Sequence, residues 1–358
     1  MSGRLVLYGA GGYTGRLIAD ALAARGVDLA LAGRSRERLM PLAQRLHAPL
    51  SVAAADDPEA LRAAFAGAGV VINAAGPFPA TAAPVLEACL AVKAHYFDVG
   101  GEGPVYEALH GYDDAARRAG IMATPGAGFV VAASDALASH VAARLPHARK
   151  LWLGFSRADP ISRGSLASML DLASGSVTIR RDGRLAAVAA GRLTHAFDFG
   201  AGPSLATAAP WPDPFSAYLT TGIPNIEAYL EADALARAAY GAAAMFAPAL
   251  LWPGARAALE AMAKFWPEGP SEAARAATPK VVVAEAEDAF GRRVVARLFT
   301  PNVYSFTRDC VARLAERALA GDVRPGYQTP AGAYGAEFVL DLPGVKREDA
   351  CSRAPSRP

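Results

Sequence analysis

The sequence predicts an α/β fold, a doubly wound parallel sheet joined to a second, mixed α+β, largely antiparallel domain. Three observations carry this expectation. Apolar strand-like runs alternate with segments of helical period from Arg4 to Thr124, glycine-rich turns close several of those runs, and beyond Ser134 the pattern changes to strands separated by hairpin signals. At 358 residues and 53% hydrophobic side chains there is material for two sizeable cores.

Arg4 to Tyr8 is a short β-prone run that reads as a buried first strand. It enters Gly9-Ala10-Gly11-Gly12-Tyr13-Thr14-Gly15, a turn that glycines permit, and a helix begins near Tyr13 with Leu17, Ile18, Ala21 and Leu22 at helical spacing. In such a unit the free N–H groups of the first helical turn point at the loop, and missing side chains at Gly9, Gly12 and Gly15 let a pyrophosphate approach the backbone. The strict G-x-G-x-x-G spacing is absent, so the turn alone is a degenerate fingerprint.

The second strand, Val27 to Ala32, supplies the discriminating detail. It ends in Gly33-Arg34-Ser35-Arg36, with Arg38 one turn later and no carboxylate. An acid there would accept from a ribose 2′-OH, whereas a guanidinium pairs with the 2′-phosphate that distinguishes NADP from NAD. The expected cofactor is NADP(H).

The following elements continue the alternation: a helix from Glu37 to Leu46, a strand from Leu50 to Ala53, a helix opened by Asp56 or Asp57 with Pro58 in its first turn, and a strand from Gly69 to Asn73. After Ala74-Ala75-Gly76-Pro77-Phe78 come a helix from Thr81 to Val92, a strand from His95 to Val99, a helix from Val105 to Arg118 and a strand from Ile121 to Thr124. Right-handed crossovers put the ends carrying Gly9, Arg34, Asn73, Asp98 and Pro125 on one edge of a Rossmann-type sheet.

In the second domain Ser134 can cap a helix from Asp135 to Leu145. Strands are expected at Lys150 to Arg157, Val177 to Arg181 and Arg184 to Val188 around Asp182-Gly183, His195 to Phe199, Ala217 to Thr221, Lys280 to Glu287 and Arg293 to Phe299. The late helix Val303 to Ala320 is expected to return to the first domain. The division is then 1–133 plus about 302–345 for the nucleotide domain, about 134–301 for the substrate and oligomerisation domain, and a disordered tail at 346–358.

A net charge of +2 gives no reason to expect nucleic acid as a partner. Cys89, Cys310 and Cys351 lie far apart with no Cys-x-x-Cys spacing, so no metal is expected. The first residues run directly into a strand without a secretory leader, which predicts a cytoplasmic protein. Ala238 to Ala255 carries no charge, yet two prolines and two glycines break it, so it reads as a buried helix pair or an oligomer contact, such as that of a homodimer, with contact to a membrane surface or a lipidic substrate as the alternative, and not as a transmembrane span.

Taken together, Gly9 to Gly15, Ala32-Gly33-Arg34-Ser35, Val71-Ile72-Asn73-Ala74-Ala75-Gly76-Pro77-Phe78 and Tyr96-Phe97-Asp98-Val99-Gly100-Gly101-Glu102 resemble motifs of the saccharopine-dehydrogenase-like oxidoreductases, which include the trans-acting enoyl reductases. Pro125-Gly126-Ala127-Gly128-Phe129 through Ser134-Asp135, and Gly326 to Pro330, look like later motifs of that family. The resemblance implies an NADP-binding Rossmann domain, a mixed substrate domain, and hydride transfer to a C=C or C=N bond. It matches Gly9, Gly11, Gly12, Tyr13, Thr14 and Gly15 to the phosphate turn, Arg34 and Ser35 to the 2′-phosphate position, and Asn73, Ala74, Gly76, Pro77 and Phe78 to the segment under the nicotinamide. Thr124 stands where saccharopine reductases carry an acid, which argues against an amino-acid imine and for a hydrophobic substrate, free or carrier-bound.

Hydride transfer usually needs a proton donor as well. Glu102 and Asp98 are the catalytic candidates, Asp98 with a competing role as a turn acceptor beside Gly100. His95, Tyr106, Tyr304, His195 and Tyr218 are further candidate donors, none singled out by the sequence, while Phe129 and Tyr304 are candidates for the substrate pocket. A sensor or scaffold that binds NADP(H) without turnover is the alternative function.

Overall fold

The computed structural model describes residues 3–157, 161–165, 175–237 and 265–350, and these divide into two compact units. The first comprises residues up to Ala132 together with Val303–Ala333, and the second comprises Ala133–Asn302 and the residues from Tyr334 onward.

In the first unit β1 (Arg4–Tyr8), β2 (Leu29–Gly33), β3 (Leu50–Val52), β4 (Ala68–Asn73), β5 (His95–Asp98) and β6 (Met122–Thr124) alternate with α1 (Tyr13–Ala24), α2 (Arg36–Leu46), α3 (Pro58–Phe65), α4 (Phe78–Val92), α5 (Gly103–His110) and α6 (Asp113–Ala119). Among the described residues the strands form one parallel sheet in the order β3-β2-β1-β4-β5-β6, extended beyond β6 by the short strand Gly326–Tyr327. That order places the topological switch point between β1 and β4. The strands are apolar on both faces because helices cover both: Leu5, Leu7, Leu31, Val70, Val71 and Ile72 are all buried.

The helix Val303–Leu319 packs against α1 and β4, as its apolar stripe requires. Its Tyr304 ring meets Tyr13 edge-on at 5.1 Å, and Glu316 pairs with Arg25 at 3.1 Å. Where one helix was expected from Val105 to Arg118, two form, because the chain turns at Gly111-Tyr112 and Gly120 ends the second in a left-handed cap.

Helix α7 (Phe129–Arg144) runs from the first unit into the second and is interrupted at Val130–Val131, where Val131 has φ 85° and ψ −61°. In the second unit β7 (Ala148–Phe155), β8 (Ser176–Arg181), β9 (Arg184–Ala189), β10 (Thr194–Asp198), β11 (Pro203–Ala208), β12 (Asn225–Glu231), β13 (Lys280–Asp288) and β14 (Arg293–Thr300) form a mixed sheet. Only the β12–β7 pairing is parallel among its described neighbours. Asp182 and Gly183, with φ 48° and 79°, make the β8–β9 turn, the two positive φ values that a type I′ hairpin needs.

Three expectations are corrected here. Ala217 to Thr221 belongs to a helix, α8 (Asp213–Thr221), because prolines at 212 and 214 suit its first turn and Gly222 closes it in a left-handed cap. Lys346–Ala350, expected to be disordered, is a strand paired antiparallel with β14, and its charges find distant partners: Asp349 pairs with His140 at 2.7 Å and Arg144 at 2.8 Å. The chain from Tyr334 onward, expected in the first unit to about residue 345, therefore lies in the second. The apolar stretch Ala238 to Ala255 and Cys351 lie outside the described residues.

Candidate functional site

The loop after β1 is shaped by close approaches. A Cβ on Gly9, whose φ is 84°, would stand 2.5 Å from the Ala75 nitrogen, and one on Gly15 would collide with the Gly9 carbonyl oxygen. Gly11 leaves room for the Arg38 Cβ, which a side chain there would approach to 2.9 Å. Gly12 differs, because a Cβ on it would meet only the Gly9 oxygen, at 3.4 Å. Internal packing thus accounts for Gly9, Gly11 and Gly15, while Gly12 keeps clear the space in front of the loop.

Gly12 is also the N-cap of α1, with extended backbone, no side-chain cap and no acid in the first helical turn. Such a helix end favours an anion. Thr14 follows in that first turn, and the Arg16 guanidinium holds the loop by donating to the Gly11 carbonyl at 3.0 Å.

At the end of β2, Arg34 is exposed and close enough for its charge to act on the Tyr8 hydroxyl, whose pKa burial nevertheless raises. Ser35, matched to the same position, is the N-cap of α2: its hydroxyl accepts the Arg38 N–H at 3.4 Å. Ser35 thus orients the helix that follows Arg34.

The loop after β4 is fastened from within. Asn73, fully buried, accepts the Ala75 N–H at 3.0 Å and donates to the Thr81 hydroxyl at 3.4 Å, and that hydroxyl donates to the Ala75 carbonyl at 2.5 Å. Ala74 and Ala75 pack on Gly9, so the loops after β1 and β4 touch. The Gly76–Pro77 bond is cis, and Phe78 opens α4 with its ring against Gly100, where a Cβ would come within 2.9 Å.

Asp98 joins the remaining loops. One carboxylate oxygen accepts the N–H groups of Gly100 at 3.0 Å and Gly126 at 2.9 Å, and the other accepts the Tyr96 hydroxyl at 2.7 Å. Burial pushes its pKa up to about 6; the bonds from Gly126, Tyr96 and Gly100 oppose the rise, and the Glu102 charge adds to it. Asp98 is a positioning residue by its contacts. Glu102 is different: Oε2 accepts the Gly101 N–H at 2.8 Å, but Oε1 has no hydrogen-bond partner among the described residues, although Glu102 is only 2% exposed. The Thr124 hydroxyl, at the adjacent strand end, is likewise buried and unpartnered.

The other candidates have structural work within their own unit. His95 Nδ1 accepts the Met122 N–H at 3.0 Å, with burial lowering its pKa, and the Tyr106 hydroxyl donates to the Gly100 carbonyl at 2.7 Å. Phe129 meets Phe306 edge-on at 5.6 Å and Tyr304 meets Tyr13, and both side chains are buried. In the second unit His195 stacks on Trp152 and faces Glu285 at 3.0 Å, while the Arg180 guanidinium lies 3.9 Å over the Tyr218 ring. Ser134 bonds the buried Asp213 carboxylate, and Asp135 accepts the Thr220 hydroxyl at 2.5 Å.

Sequence reasoning gave Tyr96, Thr81 and Arg38 no part in holding these loops. Tyr96 was discoverable, since Tyr96 and Asp98 stand two apart on one strand and so share a face. Thr81 and Arg38 act through loop closure that no local pattern announces. Among the described residues no group of three or more His, Cys, Asp or Glu gathers to hold a metal, and no helix is long and apolar enough to cross a membrane.

The cleared space at Gly12, the uncapped α1 terminus and Arg34 fit a phosphorylated dinucleotide, and comparison with known proteins agrees. A Mycobacterium tuberculosis protein provisionally named a trans-acting enoyl reductase is 34% identical over 185 residues, 48% of this chain and 44% of that one. Another M. tuberculosis protein, named trans-acting enoyl reductase, is 40% identical over 105 residues, 27% of this chain and 25% of that one. The chain spans less than half the length of these curated relatives. The fold is that of saccharopine dehydrogenase (L-Glu forming) from Saccharomyces cerevisiae, with a TM-score of 0.64 at 14% identity, covering 98% of this chain and 100% of that one. Residues 5–124 match the family model of the saccharopine dehydrogenase NADP binding domain. Residues 5–124 are therefore similar to the NADP-binding domain of the saccharopine dehydrogenase family, and NADP(H) is the cofactor.

Proposed function

We propose that this protein is an NADPH-dependent reductase that transfers hydride to a C=C (enoyl) or C=N bond of a hydrophobic substrate, free or carrier-bound. The observation that carries the reading is the glycine turn cleared at Gly12 beside Arg34, on the same sheet edge as an acid, Glu102, with an unengaged oxygen. The cofactor would supply the hydride, and the chain would orient it and exclude water. Glu102 is the group on this edge suited to manage the accompanying proton; Asp98 is occupied by three donors and holds the loops.

The names of the relatives favour the enoyl side, and Thr124 in place of an acid disfavours an amino-acid imine. The buried free thiols Cys89 and Cys310 suit a reducing compartment, for which we propose the cytoplasm. The test is to titrate the purified protein with NADPH, following cofactor fluorescence, and then to screen enoyl thioesters and cyclic imines for cofactor oxidation. Binding without turnover across the whole screen would replace the reductase by a sensor.

A further inference from the structure

We infer that the Glu102 carboxylate makes the bound cofactor favour its oxidised form, so that this site is built to give hydride away. The inference rests on the cofactor assignment and on no particular substrate.

Topology assigns the place. In a sheet of this order the dinucleotide crosses the carboxyl ends with its halves on either side of the β1/β4 switch point. Arg34 at the end of β2 claims the 2′-phosphate and with it the adenosine half. The nicotinamide half then falls on the β4–β5 side, where the Asn73–Phe78 loop, Gly100 and Glu102 stand. That side is continuous: Ala74 and Ala75 touch the phosphate loop, and the Phe78 ring touches Gly100, two residues before Glu102.

Electrostatics assigns the effect. Glu102 is buried and receives one backbone N–H; its second oxygen has no partner among the described residues, and a second acid, Asp98, is close enough for the Glu102 charge to act on it. A buried charge held this way lacks compensation, and a nearby opposite charge is worth far more there than in water. The oxidised nicotinamide ring is a cation and the reduced ring is neutral. Only the oxidised ring supplies what Glu102 lacks, so the carboxylate binds it preferentially and makes bound NADPH a stronger hydride donor.

The experiment measures dissociation constants of NADP+ and NADPH for the unaltered chain, Glu102→Gln and Glu102→Asp, by calorimetry and cofactor fluorescence, with no substrate present. Loss of the charge in Glu102→Gln should weaken NADP+ by about tenfold while NADPH changes by less than about twofold. Glu102→Asp keeps the charge and should keep the ratio of the two constants near that of the unaltered chain. Equal effects of Glu102→Gln on both forms, no effect on either, or the same altered ratio in Glu102→Asp would overturn the inference while leaving the cofactor assignment intact. Failure of the unaltered chain to bind either form would instead sink that assignment. If melting shows that Glu102→Gln is unfolded, Glu102→Ser is measured in its place against the same outcomes.

Discussion

The Asp98 carboxylate accepts the Gly126 N–H at 2.9 Å, which ties the end of β5 to the loop that follows β6. The Ala127 N–H adds a second tie, to the Asp98 carbonyl at 2.8 Å. Asp98→Ala would leave two backbone N–H groups and the Tyr96 hydroxyl without their acceptor. At about 1–3 kcal/mol for each stranded group, the loss of stability should be at least about 3 kcal/mol, read by urea denaturation. Asp98→Asn keeps an acceptor oxygen and should lose less; a loss as large as that of the alanine variant would show that the charge, and not the acceptor geometry, holds the loops.

The cofactor assignment has its own arithmetic. Removing the guanidinium in Arg34→Ala should weaken NADPH by about 1.5–3 kcal/mol, the scale of a charge-assisted pair, and leave NADH almost unchanged. Equal losses for both dinucleotides would remove Arg34 from the 2′-phosphate site.

The second unit carries a titration that should be visible in stability. Asp213 is buried, one of its oxygens has no partner among the described residues, and its pKa is pushed up to about 6, chiefly by burial, against the Ser134 hydrogen bond and with Asp135 adding to the rise. Because the folded-state value lies above the unfolded one, the protonated form is favoured by folding. Its contribution is fully present below the unfolded value and is lost as pH rises through about 6. Asp213→Asn cannot ionise, so its stability relative to the unaltered chain should rise between pH 4 and 7 by up to about 3 kcal/mol, measured by denaturation at the two pH values. A constant difference would mean that Asp213 ionises freely in the folded chain.

Much of the first sheet was legible in the sequence because β1, β2 and β4 are apolar runs and each strand from β1 to β5 is followed by a helix. The tight glycine turn between β1 and α1 was legible because its geometry is set by residues adjacent in the chain. The second sheet was less so. Ala217 to Thr221 is β-prone taken alone, and only Pro212 and Pro214 before it and Gly222 after it mark a helix. Lys346–Ala350 has four charged residues in five and no apolar alternation; it becomes a strand because β14 offers an edge and because Arg144, His140 and Glu337 wait for its charges. Ser134 reads as a cap, yet its hydroxyl goes to Asp213, a partner that exists only once α7 and α8 have packed. Such pairings are long-range, and a local pattern cannot carry them.

Two glycines of the phosphate turn should separate folding from binding. Gly15→Ala puts a methyl group onto the Gly9 carbonyl oxygen, with the Ala10 Cα at 2.8 Å, and these are backbone atoms that cannot step aside. That variant should be destabilised by about 1–3 kcal/mol as an overpacked core position, and should bind cofactor poorly for that reason. Gly12→Ala meets only one atom at 3.4 Å, and the backbone there, φ −80° and ψ 167°, is open to any residue. Its melting temperature should therefore stay within a few degrees of the unaltered chain, while its added methyl group occupies the space in front of the helix terminus where the pyrophosphate must approach. NADPH affinity should fall at least about tenfold, measured by fluorescence titration, a change of about 1.4 kcal/mol. A Gly12→Ala protein that binds NADPH normally would mean that the cofactor does not use the N-terminus of α1, and the reading of this turn would have to be abandoned.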